Sequence, residues 1–207
     1  MARKEVVKDA STEEKIKDAA RRLFTQKGYA AIKTRDIAAE AGINMALLHY
    51  YFRSKEKLFE LIMMENLQQF VAGMQYLLTN EKTSLEEKVT AFVYNYIDLL
   101  TRQPDLPLFI FSEIRANPAK FISKMKIREF LPGSHFMKQF QELMKKNKTK
   151  LHPLHFLMNL AGLAVFPFIG APLIQNIGNI NQTEFNALMQ QRKKLIPVWI
   201  KMMLTTS

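Results

Sequence analysis

The sequence predicts an all-α protein, and three observations favour that class. Glycine and proline are scarce, at 7 and 8 of 207 residues, which disfavours the turn-rich sandwich and barrel folds. Apolar residues recur at helical spacing, as at Ile16, Ala19 and Leu23, and so form one face of a helix. No segment alternates apolar and polar residues with the period of two that marks a half-buried strand. We therefore expect about nine or ten helices and no sheet.

Capping residues and helix breakers divide the chain into these helices. Ser11 and Glu14 form a capping box at the start of the first helix, and Gly28 ends it. Pro197 predicts a kink in the last helix. The other predicted boundaries are Thr34 and Gly42 for the second helix, Asn44 for the third, Ser54 and about Thr79 for the fourth, Asp105, Asn117, His152 and Thr183 for later starts, and Pro132 with Gly133 for a break.

Composition excludes several classes of protein. A hydrophobic fraction of 48% supports a real core, so the chain is not a disordered basic protein. The absence of cysteine excludes a disulfide scaffold and a cysteine nucleophile. His152 and His155 have no acidic or thiol neighbour that would complete a metal site. No catalytic triad or phosphate-binding glycine loop is recognisable, so we expect no enzyme, no cofactor and no metal.

The first ten residues lack the apolar core of a secretory signal, and we expect a cytoplasmic protein.

The net charge of +11 is distributed in blocks. Residues 1–55 carry twelve basic and seven acidic side chains, whereas residues 56–119 carry five and nine. Residues 120–150 carry nine basic and two acidic side chains, and residues 151–207 carry four and one. The blocks at 1–55 and 120–150 are separate candidates for contact with an anion. For the second block, the alternatives are a solvated face and a site for an acidic effector or an acidic partner surface.

Residues 151–183 contain no charged side chain. Their length would allow a transmembrane helix, but Asn159, Pro167 and Pro172 interrupt the apolar run. We expect instead a helix that is buried on nearly all sides, at a dimer interface or around a ligand cavity.

The segments TRDIAAEAG and INMALLHYYF have the layout of a helix-turn-helix. A helical wheel places Leu48 and Phe52 on one face of the second helix, flanked by Met45 and Tyr51. The opposite face, which includes Tyr50, would be free to enter a DNA groove. The alternative is that all three aromatic residues of YYF belong to the core.

At this point the sequence resembles the TetR family of transcriptional regulators. The resemblance covers roughly residues 10–70 and includes LFTQKGY, KTRDIAAEAGI and LLHYYFRSKEKLF in the family's order and spacing. It implies a DNA-binding domain at residues 10–70, with the helix-turn-helix at about 33–52, and a helical effector-binding and dimerisation domain at residues 71–207. It also implies a homodimer, a palindromic operator and a small hydrophobic effector, without a membrane. The DNA-contact positions would be Thr34, Arg35, Asn44, Met45, Ala46, Leu47, His49, Tyr50 and Lys55.

The chain departs from the family pattern where bases are read. Met45, Ala46 and Leu47 have no side-chain hydrogen-bond donor, so they cannot form the bidentate contact that identifies guanine. Base recognition would then depend on apolar contacts with thymine methyl groups, on Arg35 and on DNA shape. We therefore expect half-sites rich in A and T. Alternatively, Arg35 pairs with Asp36 or Glu40 at the protein surface.

Residues 71–207 contain most of the methionines and phenylalanines, which suit either an effector pocket or an ordinary core. If a pocket exists, polar residues within these apolar runs would orient the ligand. A membrane- or lipid-associated protein, a general DNA-compacting protein and an orphan regulator without a ligand are the alternatives. The candidate effector-binding residues are Tyr94, Asn95, Glu113, His135, His155, Asn159 and Trp199.

Overall fold

The computed structural model describes residues 10–147 and 151–205, and within those ranges it contains twelve helices and no strand. The predicted all-α class is therefore confirmed. The helices are α1 (Ala10–Ala31), α2 (Thr34–Glu40), α3 (Met45–Phe52), α4 (Lys55–Thr79), α5 (Leu85–Arg102), α6 (Leu106–Ala116), α7 (Pro118–Met125), α8 (Ile127–Phe130), α9 (His135–Lys146), α10 (Pro153–Ile169), α11 (Ala171–Gly178) and α12 (Gln182–Thr205).

Two breaks that the sequence did not predict explain the larger number of helices. Lys126 has a left-handed backbone (φ 54°) and separates α7 from α8. Gly170 separates α10 from α11, which are bent by 68° at this point. One predicted cap was wrong. Lys33 rather than Thr34 precedes α2, and its N–H donates to Asp36 Oδ2 at 2.8 Å. Helix α12 starts at Gln182, one residue before the predicted Thr183, and the side chain of Asn181 caps it, since its Oδ1 accepts from Glu184 N at 3.0 Å.

The chain divides into two compact units, Met1–Leu67 and Gln68–Ser207, and the division falls within α4. The first unit packs α1 to α3 and the start of α4 around a core that includes Ile16, Ile37, Leu48 and Ile62, all of which are fully buried. Gly28 breaks the helical backbone of α1 with a φ of 74°, as predicted, although a further turn continues to Ala31.

Ion pairs join α1 to α4 in the first unit. Lys17 Nζ lies 3.0 Å from Glu65 Oε1, and Arg21 also contacts the Glu65 carboxylate. Both cations also pair with Glu14, and their hydrogen bonds lower the pKa of its carboxyl group. The shared carboxylates hold the two helices in one register.

The core of the second unit lies between α5 and α12, with Val93, Ile97, Ile196 and Ile200 almost fully buried. Lys193 Nζ bonds to Asp98 Oδ1 at 2.7 Å and links the two helices. These contacts pack α12 against α5.

A proline within α10 explains a polar contact between α10 and α12. Pro167 has no N–H, so the carbonyl of Leu163, four residues earlier, loses its helical partner. Arg192 supplies two donors to that oxygen, Nε at 3.2 Å and Nη2 at 3.1 Å. Its guanidinium also lies 5.2 Å from the ring centroid of Trp199. Burial lowers the pKa of Arg192, and the planar guanidinium is suited to both contacts.

Replacing Arg192 with methionine should therefore lower the free energy of unfolding by about 1 kcal/mol, because the half-buried carbonyl of Leu163 would be left without donors. Thermal unfolding of the full chain measures this change. Lys194→Met, at an exposed position on the same helix, is the matched control and should change stability little. In a Pro167→Ala background the helix recovers its own N–H, so Arg192→Met should cost less. An equal cost in both backgrounds would contradict this explanation of the Arg192 contact.

Within one chain, the uncharged segment is buried on one side only. One face of α10 is buried, at Phe156, Leu160 and Ala164, while Met158 and Phe166 are exposed. Burial of the exposed side at a dimer interface or around a ligand cavity stays a prediction. Among the described residues no single helix is long and apolar enough to cross a membrane, and only the bent pair α10 and α11 meets the length and composition test.

Candidate nucleic-acid interface

A tight glycine turn joins α2 to α3. Gly42 has a φ of 66°, which favours glycine. The turn is closed by Gly42 N donating to Ala39 O at 3.1 Å and by Ile43 N donating to Ala38 O at 3.0 Å. Asn44 then caps α3, because its Oδ1 accepts from Leu47 N at 2.8 Å. The predicted helix-turn-helix layout is therefore present.

The two faces of α3 are separated as the helical wheel predicted. Leu48, Tyr51 and Phe52 are buried, whereas Tyr50 is 46% exposed. The core interpretation thus holds for two of the three aromatic residues and fails for Tyr50. Met45, which the wheel placed at the edge of the buried face, is 38% exposed. Of the other predicted DNA-contact residues on this helix, Ala46 and His49 are exposed and Leu47 is half-buried.

Arg35 lies in the first turn of α2, next to Thr34, the first residue of that helix. Its side chain is 73% exposed, and its Nε is 3.9 Å from Asp36 Oδ1. A surface pair at this distance contributes little to stability and constrains the guanidinium weakly. The guanidinium therefore remains available to an incoming anion or base edge.

Lys55 has structural contacts that the sequence did not reveal. Its Nζ donates to the carbonyl oxygens of Tyr29 at 2.9 Å and of Ile32 at 2.8 Å. The same ammonium lies 3.9 Å from the ring centroid of Tyr29. Lys55 therefore joins the start of α4 to the end of α1 and to the segment that follows it. No periodicity or motif indicates such a contact, because it joins residues more than twenty positions apart.

His49 is joined to the end of its own helix. Its Nδ1 is 2.8 Å from the carbonyl oxygen of Arg53, and Arg53 N donates to His49 O at 2.9 Å. Arg53 has a φ of 63° and a ψ of −43°, a conformation that residues other than glycine rarely adopt. Sequence reasoning missed Arg53, since nothing in the helical pattern indicates a positive φ at that position.

The seven candidate effector residues are spread over α5, α6, α9, α10 and α12. Where the described residues show contacts for them, the partners lie outside the set. Asn159 Nδ2 donates to Met203 Sδ at 2.9 Å, and Glu113 lies 4.0 Å from Lys124 Nζ. Tyr94 and Trp199 accept cation–π contacts from Lys193 and Arg192, while Asn95 and His155 are exposed and His135 is half-buried.

A different group of residues forms an apolar cleft in the second unit. The cleft has a volume of about 250 Å³ and is lined by aliphatic side chains of α5, α9 and α12, including Val89, Leu143 and Ile200. Lys201 and Glu86 also line it and form an exposed ion pair at 3.0 Å.

The first unit matches a known family of proteins. Residues 16–62 match the family model described as bacterial regulatory proteins, tetR family. The chain is 26% identical over 176 residues to Probable HTH-type transcriptional regulator YttP of Bacillus subtilis (strain 168), covering 81% of this chain and 82% of that protein.

Two solved structures share the fold. A TetR/AcrR family regulator from Thermobifida fusca YX-ER1 aligns with a TM-score of 0.59 and 19% identity, over 90% of this chain and 97% of that one. The regulator FadR of Bacillus subtilis, solved in complex with stearoyl-CoA, aligns with a TM-score of 0.52 and 21% identity, over 88% and 96% of the two chains.

Proposed function

Because this chain is a transcriptional regulator of the TetR family, we propose that it binds a palindromic operator as a homodimer and leaves it when a small hydrophobic effector binds. The observation that carries the proposal is the separation of faces on α3, where the buried side anchors the helix and the exposed side is offered to solvent. Membership of this family favours a regulator over a membrane- or lipid-associated protein. We propose no enzymatic activity, and we expect the regulator to act in the cytoplasm.

In this proposal residues 10–70 form the DNA reader, and α3 lies in the major groove. Met45, Ala46 and Leu47 contact thymine methyl groups, and Arg35 reaches a base edge or a phosphate. This set of contacts favours half-sites rich in A and T. The other proposed DNA contacts are Thr34, Asn44, His49, Tyr50 and Lys55.

Lys55 would act at once as a structural contact and as a phosphate ligand. An ammonium group has three N–H donors, and two of them are used on the carbonyls of Tyr29 and Ile32. The third remains for a phosphate oxygen. The backbone N–H groups at the start of α4 add a favourable site for the same anion.

Residues 71–207 would supply dimerisation. Large apolar side chains that stay exposed on one chain mark an interaction surface when they are adjacent, and a twofold dimer uses the same surface on both copies. We define the dimer face by the exposed apolar residues of the last three helices. They are Leu154, Met158, Phe166, Leu173, Ile177, Leu188, Leu195, Val198, Trp199 and Met202. Pairing of this face would hold two recognition helices about 34 Å apart, one turn of DNA.

The effector that we propose is an amphiphile with an apolar chain and an anionic head group, of the acyl-CoA class. Two features support it: the fold is shared with a regulator solved with stearoyl-CoA, and the basic surplus of residues 120–150 has no role in the DNA reader. Lys120, Lys126, Arg128 and Lys138 are exposed and could meet phosphate groups. The seven polar candidates named from the sequence remain proposals for orienting the ligand.

Release from DNA would follow from differential affinity. The effector binds more tightly to a dimer in which the recognition helices have a different spacing. The difference between its binding free energies for the two forms of the dimer weakens operator binding by the same amount, typically 1 to 3 kcal/mol. Repression relieved by ligand is the expected outcome.

Footprinting on the DNA upstream of the protein's own gene tests the proposal. We expect a protected inverted repeat that stearoyl-CoA weakens by about 5- to 150-fold, a coupling of 1 to 3 kcal/mol. Coenzyme A and stearate alone serve as controls for the head group and the chain. Protection that no acyl-CoA changes would identify an orphan regulator, and equal binding to all duplexes would indicate a DNA-compacting protein.

A further inference from the structure

The Nδ1 atom of His49 has a fixed role as a hydrogen-bond donor. A carbonyl oxygen can only accept a hydrogen bond, so the 2.8 Å contact with Arg53 O requires the proton to lie on His49 Nδ1. In the neutral ring the other nitrogen, Nε2, is then a bare acceptor. The neutral side chain therefore offers an acceptor, and not a donor, to an incoming ligand.

The reciprocal bonds between His49 and Arg53 make this state persistent. Arg53 N donates to His49 O while His49 Nδ1 donates to Arg53 O. The unusual backbone of Arg53 is unfavourable unless surrounding contacts support it. The ring bond is such a contact, so the tautomer and the end of α3 stabilise each other.

Few other acceptors lie on the recognition helix. Met45, Ala46 and Leu47 have no polar side-chain atom that would discriminate between bases. The side-chain oxygen of Asn44 already accepts from Leu47 N at 2.8 Å. The hydroxyl of Tyr50 can both donate and accept, so it discriminates less between base edges. His49 Nε2 differs from these groups because in the neutral ring it can only accept.

We propose that His49 is a specificity-determining residue that reads an exocyclic amino group in the major groove. In that groove the groups that donate are adenine N6 and cytosine N4, whereas phosphate oxygens only accept. A neutral Nε2 therefore matches one amino group in each half-site and cannot bind phosphate. This inference rests on the proposed operator binding by α3, and it adds a hydrogen-bonded base to a readout that is otherwise apolar.

The test begins with selection of binding sites from random duplexes by the wild-type dimer. At each selected adenine, a second duplex carries purine riboside without the 6-amino group, and at each selected cytosine it carries 2-pyrimidinone without the 4-amino group. We expect one position per half-site at which removal of the amino group weakens wild-type binding by about 5- to 100-fold, the range of a good base contact. Whether that position is adenine or cytosine identifies the base.

The same duplexes are then measured with His49→Ala and with Leu47→Ala as the control. The amino-group effect should disappear in His49→Ala and persist in Leu47→Ala. If His49→Ala weakens all duplexes equally and leaves every analogue effect intact, His49 contacts phosphate and the inference is wrong. If no analogue weakens DNA binding by the wild type, the inference is wrong. This outcome does not depend on whether His49→Ala folds. Failure of the wild type to select any sequence would instead overturn the proposed function itself.

Discussion

Replacing Phe166 with glutamate is expected to separate the proposed homodimer into monomers and to lower operator affinity about 100-fold or more, since linking two binding modules strengthens binding by roughly 100- to 10,000-fold. Phe166 lies on the proposed dimer face and is 63% exposed in one chain. A charge at that position costs little in a monomer, where water solvates it. In a dimer the charge would be buried without a partner, which is strongly unfavourable.

Phe111→Glu is the matched control for this prediction. Phe111 is 53% exposed on α6, in the same unit but outside the dimer face. We expect sedimentation to report monomers for Phe166→Glu and dimers for Phe111→Glu and the wild type. If Phe166→Glu remains a dimer, or if only Phe111→Glu dissociates, the dimer interface does not lie on helices α10, α11 and α12.

Replacing Lys55 with alanine is expected to have a double effect. The ammonium bonds to two carbonyls and lies over the ring of Tyr29, so its removal should lower the free energy of unfolding by about 2 kcal/mol. Binding to every duplex should also weaken. The slope of log affinity against log salt should flatten by about one unit for each phosphate group that the variant no longer neutralises.

Lys57→Ala separates the two effects of Lys55. Lys57 follows two residues later on α4 and is exposed, so its removal should leave thermal stability within about 0.5 kcal/mol of the wild type. Chemical denaturation and salt titration of DNA binding are measured on both variants. An unchanged salt slope for Lys55→Ala would remove Lys55 from the phosphate contacts, and an unchanged stability would contradict its structural role.

The parts of the site that depend on neighbouring residues were predictable from the sequence. The 100° spacing of residues along α3 separates Leu48 and Phe52 from Tyr50 without knowledge of the tertiary structure. Caps are equally local, and the side-chain caps predicted at Asn44 and Asn117 are present because each acts within three residues.

The remaining contacts depend on distant residues or on rare backbone conformations. Lys55 meets residues that are 23 and 26 positions away, and Arg192 meets Leu163 only because Pro167 frees its carbonyl. The positive φ of Arg53 and Lys126 occurs at residues that ordinarily avoid it. The sequence pattern contains no signal for such features, so His49 could be placed on the exposed face without its hydrogen-bonding state being known.

The proposal of a homodimeric, operator-binding regulator is tested most directly by selection of duplexes from a random pool. The purified wild-type chain is used for this selection. We predict an enriched inverted repeat with A- and T-rich half-sites whose centres are about 10 base pairs apart, bound by two chains. Enrichment of an isolated, asymmetric half-site by a single chain, or no enrichment at all, would contradict this function.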